Sequence, residues 1–184
     1  NTLRKMAEAF SNSLTRAAGI VTTATGGIIG ITTNLITGIS TTGIGVSDLV
    51  VNGNYIAGSK VTIIGVSSVT IDRDSTNITA TTNQVLSFLG PTTAFTSAAG
   101  TKTILIGGTF ANNTDSSVNL TVETRDSSAG VDVAVASKIP VPAGSSFVVT
   151  DVGKTLLEGT DELRVYCDSN NAIDVNLSLL TGVN

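Results

Sequence analysis

The sequence predicts a mainly β protein, and three observations carry that prediction. Residues 102–180 fall into short segments in which apolar and polar side chains alternate, the period that turns one face of a strand toward a core and the other toward water. Clusters of Asp, Asn, Ser and Gly separate these segments at regular intervals, as turns do in a sandwich. The chain is 41% hydrophobic but 4% aromatic, with 19 Gly and no Trp, so its core must be built from Val, Ile, Leu and Ala. That composition suits sheets better than pockets for planar ligands.

Taken in order, residues 1–18 are the exception to the β pattern. Leu3, Met6, Ala7, Phe10, Leu14 and Ala17 recur at three- and four-residue spacing, which predicts an amphipathic helix capped by Thr2 and ended by Gly19. A helix of this length is marginal alone in water, so its apolar stripe requires a partner, either this chain's own β module or a neighbouring subunit. Residues 19–33 are rich in Gly, Thr and Ile without a clear period and read as an extended arm lying against protein.

Residues 34–79 form a predicted small barrel-like β unit. Short strands over 35–40, 45–51, 60–64 and 68–72 are joined by turns at Asn52-Gly53-Asn54 and Ala57-Gly58-Ser59, where Gly and Asn accept positive φ. Residues 80–100, with Gly90-Pro91 inside them, read as a connection to the second unit.

Residues 101–184 are the predicted antiparallel sandwich. Residues 118–125 and 131–138 alternate around the turn-forming run 126–130 and make a hairpin. Pro140 and Pro142 remove two backbone donors, so the next stretch is an edge or a crossing between sheets. Strands at 103–106, 146–149, 155–157, 163–167 and 173–179 complete about seven, the number usual in a sandwich.

Two stretches resemble known modules. The run ITGISTTGIGVSDLVVNGNYIAGSKVTIIGVSSVTID, residues 36–72, resembles a small β module recurrent in tail, fibre and other virion proteins of bacteriophages. Gly38, Ser40, Thr41, Gly43, Asp48, Leu49, Val50, Ile56, Gly58, Val61, Ile64, Val69 and Ile71 carry the likeness; Ala57 stands where a proline is usual. The sandwich half is similar to a β module of virion structural proteins of tailed phages, notably cyanophages. Its matching phrases are residues 106–112, 139–149, 157–165 and 172–180. Neither module carries catalytic residues, and together they imply a structural role in a virion.

The chemistry of the chain points the same way. With no His there is no imidazole base for a nucleophilic triad and no histidine metal ligand. Asp72 and Asp74, flanking Arg73, could share a strand face as a hydrolytic pair or calcium site, but no calcium-loop pattern follows. Asp161 precedes a strand, where its carboxylate suits backbone capping in a turn. Net charge is −4 with no basic run, so the electrostatic footprint of nucleic-acid binding is missing. The Gly26–Ile31 stretch is far shorter than a membrane span of ~20 residues. Glu8, Asn12 and Arg16 interrupt any signal-peptide core, and the lone Cys167 fits a small packed thiol in a reducing cytoplasm.

Only 13% of residues are charged, about half the usual quarter, which suits a surface covered by an assembly. The expectation is therefore a non-enzymatic virion protein, assembled in the host cytoplasm, that binds copies of itself and other virion proteins. A neck or tail position is favoured. Capsid decoration and a glycan-binding tail-fibre module are the alternatives; the latter needs exposed aromatics, for which Tyr55 and Tyr166 are the candidates. No catalytic, cofactor or metal residues are expected. The expected assembly contacts are Leu3, Met6, Phe10 and Leu14 on the helix stripe and Ile28, Ile29 and Ile31 on the arm.

Overall fold

A computed structural model describes residues 7–149 and 155–183, and these contain fifteen strands and no helix. The chain divides into two compact units. The first comprises residues 1–19 together with 92–184, and the second is residues 20–91, so the second is inserted into the first.

The first unit is a two-sheet, sandwich-like module. One sheet holds β1 (Ala9–Ala18), β15 (Ile173–Val183), β9 (Lys102–Asn112) and β12 (Ser146–Val149) in that order, with β13 (Thr155–Leu157) also paired to β9. The other runs β11 (Val131–Val141), β10 (Val118–Asp126), β14 (Glu162–Cys167), β8 (Thr92–Thr96). All pairings are antiparallel.

The alternating pattern explains the core. On β15, Ile173, Val175, Leu177 and Leu179 are buried, whereas Asp174, Asn176 and Ser178 face away. They meet Phe110 and Leu105 of β9 and Leu120, Val122, Leu163 and Val165 of the opposite sheet in one cluster. The proline stretch behaves as its chemistry requires. β11 is the edge of the four-stranded sheet, with Pro140 opposite Asn119, and the chain then crosses to β12 in the five-stranded sheet. Buried Asn112 fastens this crossing: its amide donates to the carbonyls of Val141 (2.9 Å) and Ser116 (2.7 Å), and its Oδ1 accepts from the Thr114 backbone (2.9 Å).

The second unit is a single six-stranded antiparallel sheet. Its order is β4 (Leu49–Val51), β7 (Thr81–Gly90), β2 (Ile20–Ile29), β3 (Leu35–Thr37), β6 (Ser68–Ile71), β5 (Val61–Ile64). The two ends of this order touch at one isolated bridge, Leu49 to Lys60, and no closed barrel forms. Ile29, Ile36, Val69, Leu86 and Phe88 make its core.

Three expectations are corrected. The helix expected over residues 1–18 is not seen among the described residues: residues 9–18 are β1, paired with β15 from Ala9 to Thr15 without a break. Phe10 and Leu14, four apart, share a face in a strand as well as in a helix, so their spacing does not discriminate. Ser11, Asn12 and Ser13 between them are poor helix formers, and β15 offers an edge with a full ladder of hydrogen bonds.

The expected arm is β2, a central strand. Gly26 and Gly27 mask it in the sequence. Gly26 has φ +82 within a shift of register, and a Cβ at Gly27 would stand 2.5 Å from Leu86 Cδ1. The expected connection at 80–100 is β7 and β8, with Leu86 and Phe88 wholly buried. The barrel-like unit is thus an open sheet that recruits strands from both of its flanks.

Candidate functional site

Among the described residues, no three Cys, Asp or Glu side chains stand close enough to hold a metal ion. Asp72 and Asp74 lie beyond the end of β6, so the shared face expected of a strand does not arise. Asp72 Oδ1 accepts the Lys60 backbone N–H at 2.7 Å, and its other oxygen lies 3.8 Å from Arg73 Nε. Asp74 acts on Tyr55, whose hydroxyl is pushed up to about 12 by burial first and by that negative charge second.

Asp161 accepts the backbone N–H groups of Ser127 (3.0 Å) and Glu158 (2.9 Å), a turn-holding role. Asp48, buried just before β4, accepts the Gly45 N–H at 2.7 Å; burial raises its carboxyl above the usual range despite that bond. Cys167 is buried in the core, which pushes its thiol up. Asp48 and Asp161 are thus occupied in holding turns.

The feature that stands out is the outer face of the five-stranded sheet. In register across four strands, Phe10 lies opposite Leu180, Leu180 opposite Ile104, and Ile104 opposite Leu156. The four side chains form one apolar row on the side away from Leu179, Leu105 and Leu157, which are buried in the core. Phe10 is 82% exposed and Leu156 48%. A second row runs Leu14, Asn176, Thr109, Val148, with Leu14 69% exposed.

Beside Leu14 is a shallow depression of about 390 Å³ floored by Thr109, Ala111 and Asn176 and bordered by Arg16 and Asp174. Asp174 Oδ1 accepts the Ala17 N–H at 2.8 Å and so fixes the irregularity where β1 leaves the ladder. On the inner side of β1, Ser13 Oγ donates to the Ala94 carbonyl at 2.9 Å, tying the strand to the other sheet.

The opposite outer face, on the four-stranded sheet, carries a ladder of charge. Glu123 faces Arg164 and Arg125 faces Glu162 across β10 and β14, while Arg125 faces Asp132 across β10 and β11. Arg164 Nε donates to Glu162 at 2.6 Å, and Arg125 lies 3.4 Å from Asp132. Burial pulls the Arg164 guanidinium down, but Glu162, Tyr166 and Asp132 together hold it above its usual value. Tyr166, fully buried, shares a hydrogen bond with Glu123; burial first, then Glu123 and Asp132, raise its hydroxyl well beyond the usual range. The alternation in β10 and β14 showed which residues leave the core, but the cross-strand pairing that unites these charges comes from register.

Of the seven expected contact residues, Leu3 and Met6 lie outside the described residues. Phe10 and Leu14 belong to the apolar face. Ile28 and Ile31 are exposed on the inserted unit, at 45% and 58%, and Ile29 is wholly buried in that unit's core. The sequence reading missed Leu156, Leu180, Ile104 and Val148, which join Phe10 and Leu14 only through strand pairing.

No helix among the described residues is long and apolar enough to cross a membrane. No family model, curated protein or solved structure matches the chain.

Proposed function

We propose that the chain is a non-catalytic structural protein of a tailed-phage virion, assembled in the host cytoplasm and acting through contacts with its own copies and with other virion proteins in the neck or tail. The observation that carries the assembly role is the row Phe10, Leu180, Ile104 and Leu156, a strip of apolar side chains on the outer face of the sheet. A soluble subunit that presents such a strip has a surface suited to docking. The virion assignment itself draws on the resemblance of residues 36–72 and 106–180 to phage modules. The same likeness admits capsid decoration as the alternative position. A glycan-binding fibre role is less well supported, because Tyr55 and Tyr166 are buried at 6% and 0% exposure and offer no stacking platform.

The test is quantitative proteomics of density-banded particles from the phage that encodes the chain, before and after separation of heads from tails. Stoichiometric copies in the tail fraction are expected. Recovery with heads would favour decoration, and absence from particles would overturn the virion reading.

A further inference from the structure

We propose that two copies of this chain pair through β1, edge to edge and antiparallel, about a two-fold axis at Asn12, joining two five-stranded sheets into one of ten strands. The proposal rests on the assembly reading above and names its partner as a second copy.

Edge strands normally carry devices against such pairing. Among the described residues, β11 has Pro140, and Lys138 at φ +50 breaks its regularity. β4 and β5 have three and four residues, β12 and β13 four and three, and β8 has five with a register shift. β1 is different. It is ten residues long, contains neither Pro nor Lys, keeps unbroken register with β15 from Ala9 to Thr15, with the positive φ of Ala17 (+58) falling only beyond that run, and among the described residues has no strand on its other side.

The strand is also complementary to itself. In an antiparallel pair centred on residue 12, residue i faces residue 24 − i of the partner copy. Phe10 of each copy then meets Leu14 of the other, and Glu8 of each meets Arg16 of the other. All four are exposed, and Phe10 and Leu14 are the end members of the two cross-strand rows on the outer face. The inner positions pair Ser11 with Ser13 and Ala9 with Thr15, small residues that leave the backbones free to approach. Moving the axis by one residue to Ser13 would set Phe10 against Arg16 and Leu14 against Asn12, losing both matches. The two-fold therefore extends each apolar row across the junction and closes two ion pairs per dimer.

Light scattering and sedimentation of the full-length chain across a wide concentration range test this with charge reversal. Glu8→Arg alone and Arg16→Glu alone each place two like-charge pairs in the junction, and each is expected to raise the dissociation constant about tenfold or more. The double exchange Glu8→Arg with Arg16→Glu restores opposite charges and is expected to recover the wild-type value. Asn12→Cys supplies geometry: facing Cα atoms of an antiparallel pair are about 4.5–5.5 Å apart, so oxidation should yield a cross-linked dimer. Leu14→Cys, whose two copies would stand roughly 13 Å apart along the strands, should not cross-link. Cys167 is buried and gives the background.

A wild type that stays monomeric throughout overturns the proposal. So does a dimer that ignores both reversals, a double exchange that fails to rescue, or cross-linking at position 14 rather than 12. A monomer that is nevertheless stoichiometric in banded particles overturns the two-fold and leaves the virion reading standing; a dimer absent from particles does the reverse.

Discussion

The two outer faces of the sandwich-like unit spend the chain's scarce charge very differently. The four-stranded sheet gathers Glu123, Arg125, Asp132, Glu162 and Arg164 into one ladder, with Tyr166 next along the same face. The five-stranded sheet presents Phe10, Leu180, Ile104 and Leu156 in a row with no charge among them. A chain with 13% charged residues has thus concentrated several of them where they pair with each other, leaving one broad face available for association.

That contrast can be broken most severely at Arg164. Its side chain is 17% exposed, and Arg164→Ala strands Glu162 and leaves Asp132 with Arg125 alone; a loss of about 3 kcal/mol by denaturant unfolding is expected. Arg164→Met, which restores packing but not charge, should be nearly as damaging, because the uncompensated carboxylates are the cause.

Alkaline unfolding should report the tyrosines. Tyr55 keeps its proton in the folded state to about 12 instead of the ordinary 10, and Tyr166 keeps its proton further still. Groups with raised values contribute stability that is complete below pH 10 and is lost as pH climbs toward the folded values. Unfolding free energy should therefore hold steady with respect to these groups up to pH 10 and then fall by on the order of 2 kcal/mol for each by pH 12. Tyrosinate absorbance, rising with unfolding rather than ahead of it, is the check.

Tyr166→Phe sharpens the comparison, since it removes only the hydroxyl bonded to Glu123. A cost of roughly 1–2 kcal/mol at neutral pH is expected, together with a shallower alkaline decline. On the apolar face the effect on folding should be smallest. Leu156→Ser removes an exposed side chain on a short edge strand and should change chemical stability by less than about 0.5 kcal/mol while lowering apolar dye binding and self-association. A large loss of stability there would mean that the face belongs to the core of the unit.

How much of this was legible beforehand depends on the source of each signal. β9 to β15 announce themselves, because alternation on Val118–Asp126 or Ile173–Val183 follows directly from one buried face, and Pro140 marks an edge by chemistry alone. β2 was concealed, since Gly26 and Gly27 interrupt its pattern to serve a bulge and the packing of Leu86. Phe10 and Leu14 were picked out as contacts, but within the wrong element. Their partners Leu180, Ile104 and Leu156 could not be grouped with them, because residues far apart in the chain become neighbours only when register is set.

The sequence by itself determined the β class, the turns, the Pro-marked crossing and a core without Trp or His, since period, backbone chemistry and side-chain volume are local properties. Only the tertiary structure decided that residues 9–18 are a strand, that residues 20–91 form an insertion, and that one sheet face is charged and the other apolar. An i, i+4 spacing satisfies helix and strand alike, and the choice falls to whichever neighbour completes the hydrogen bonds. Here that neighbour is β15, from the opposite end of the chain.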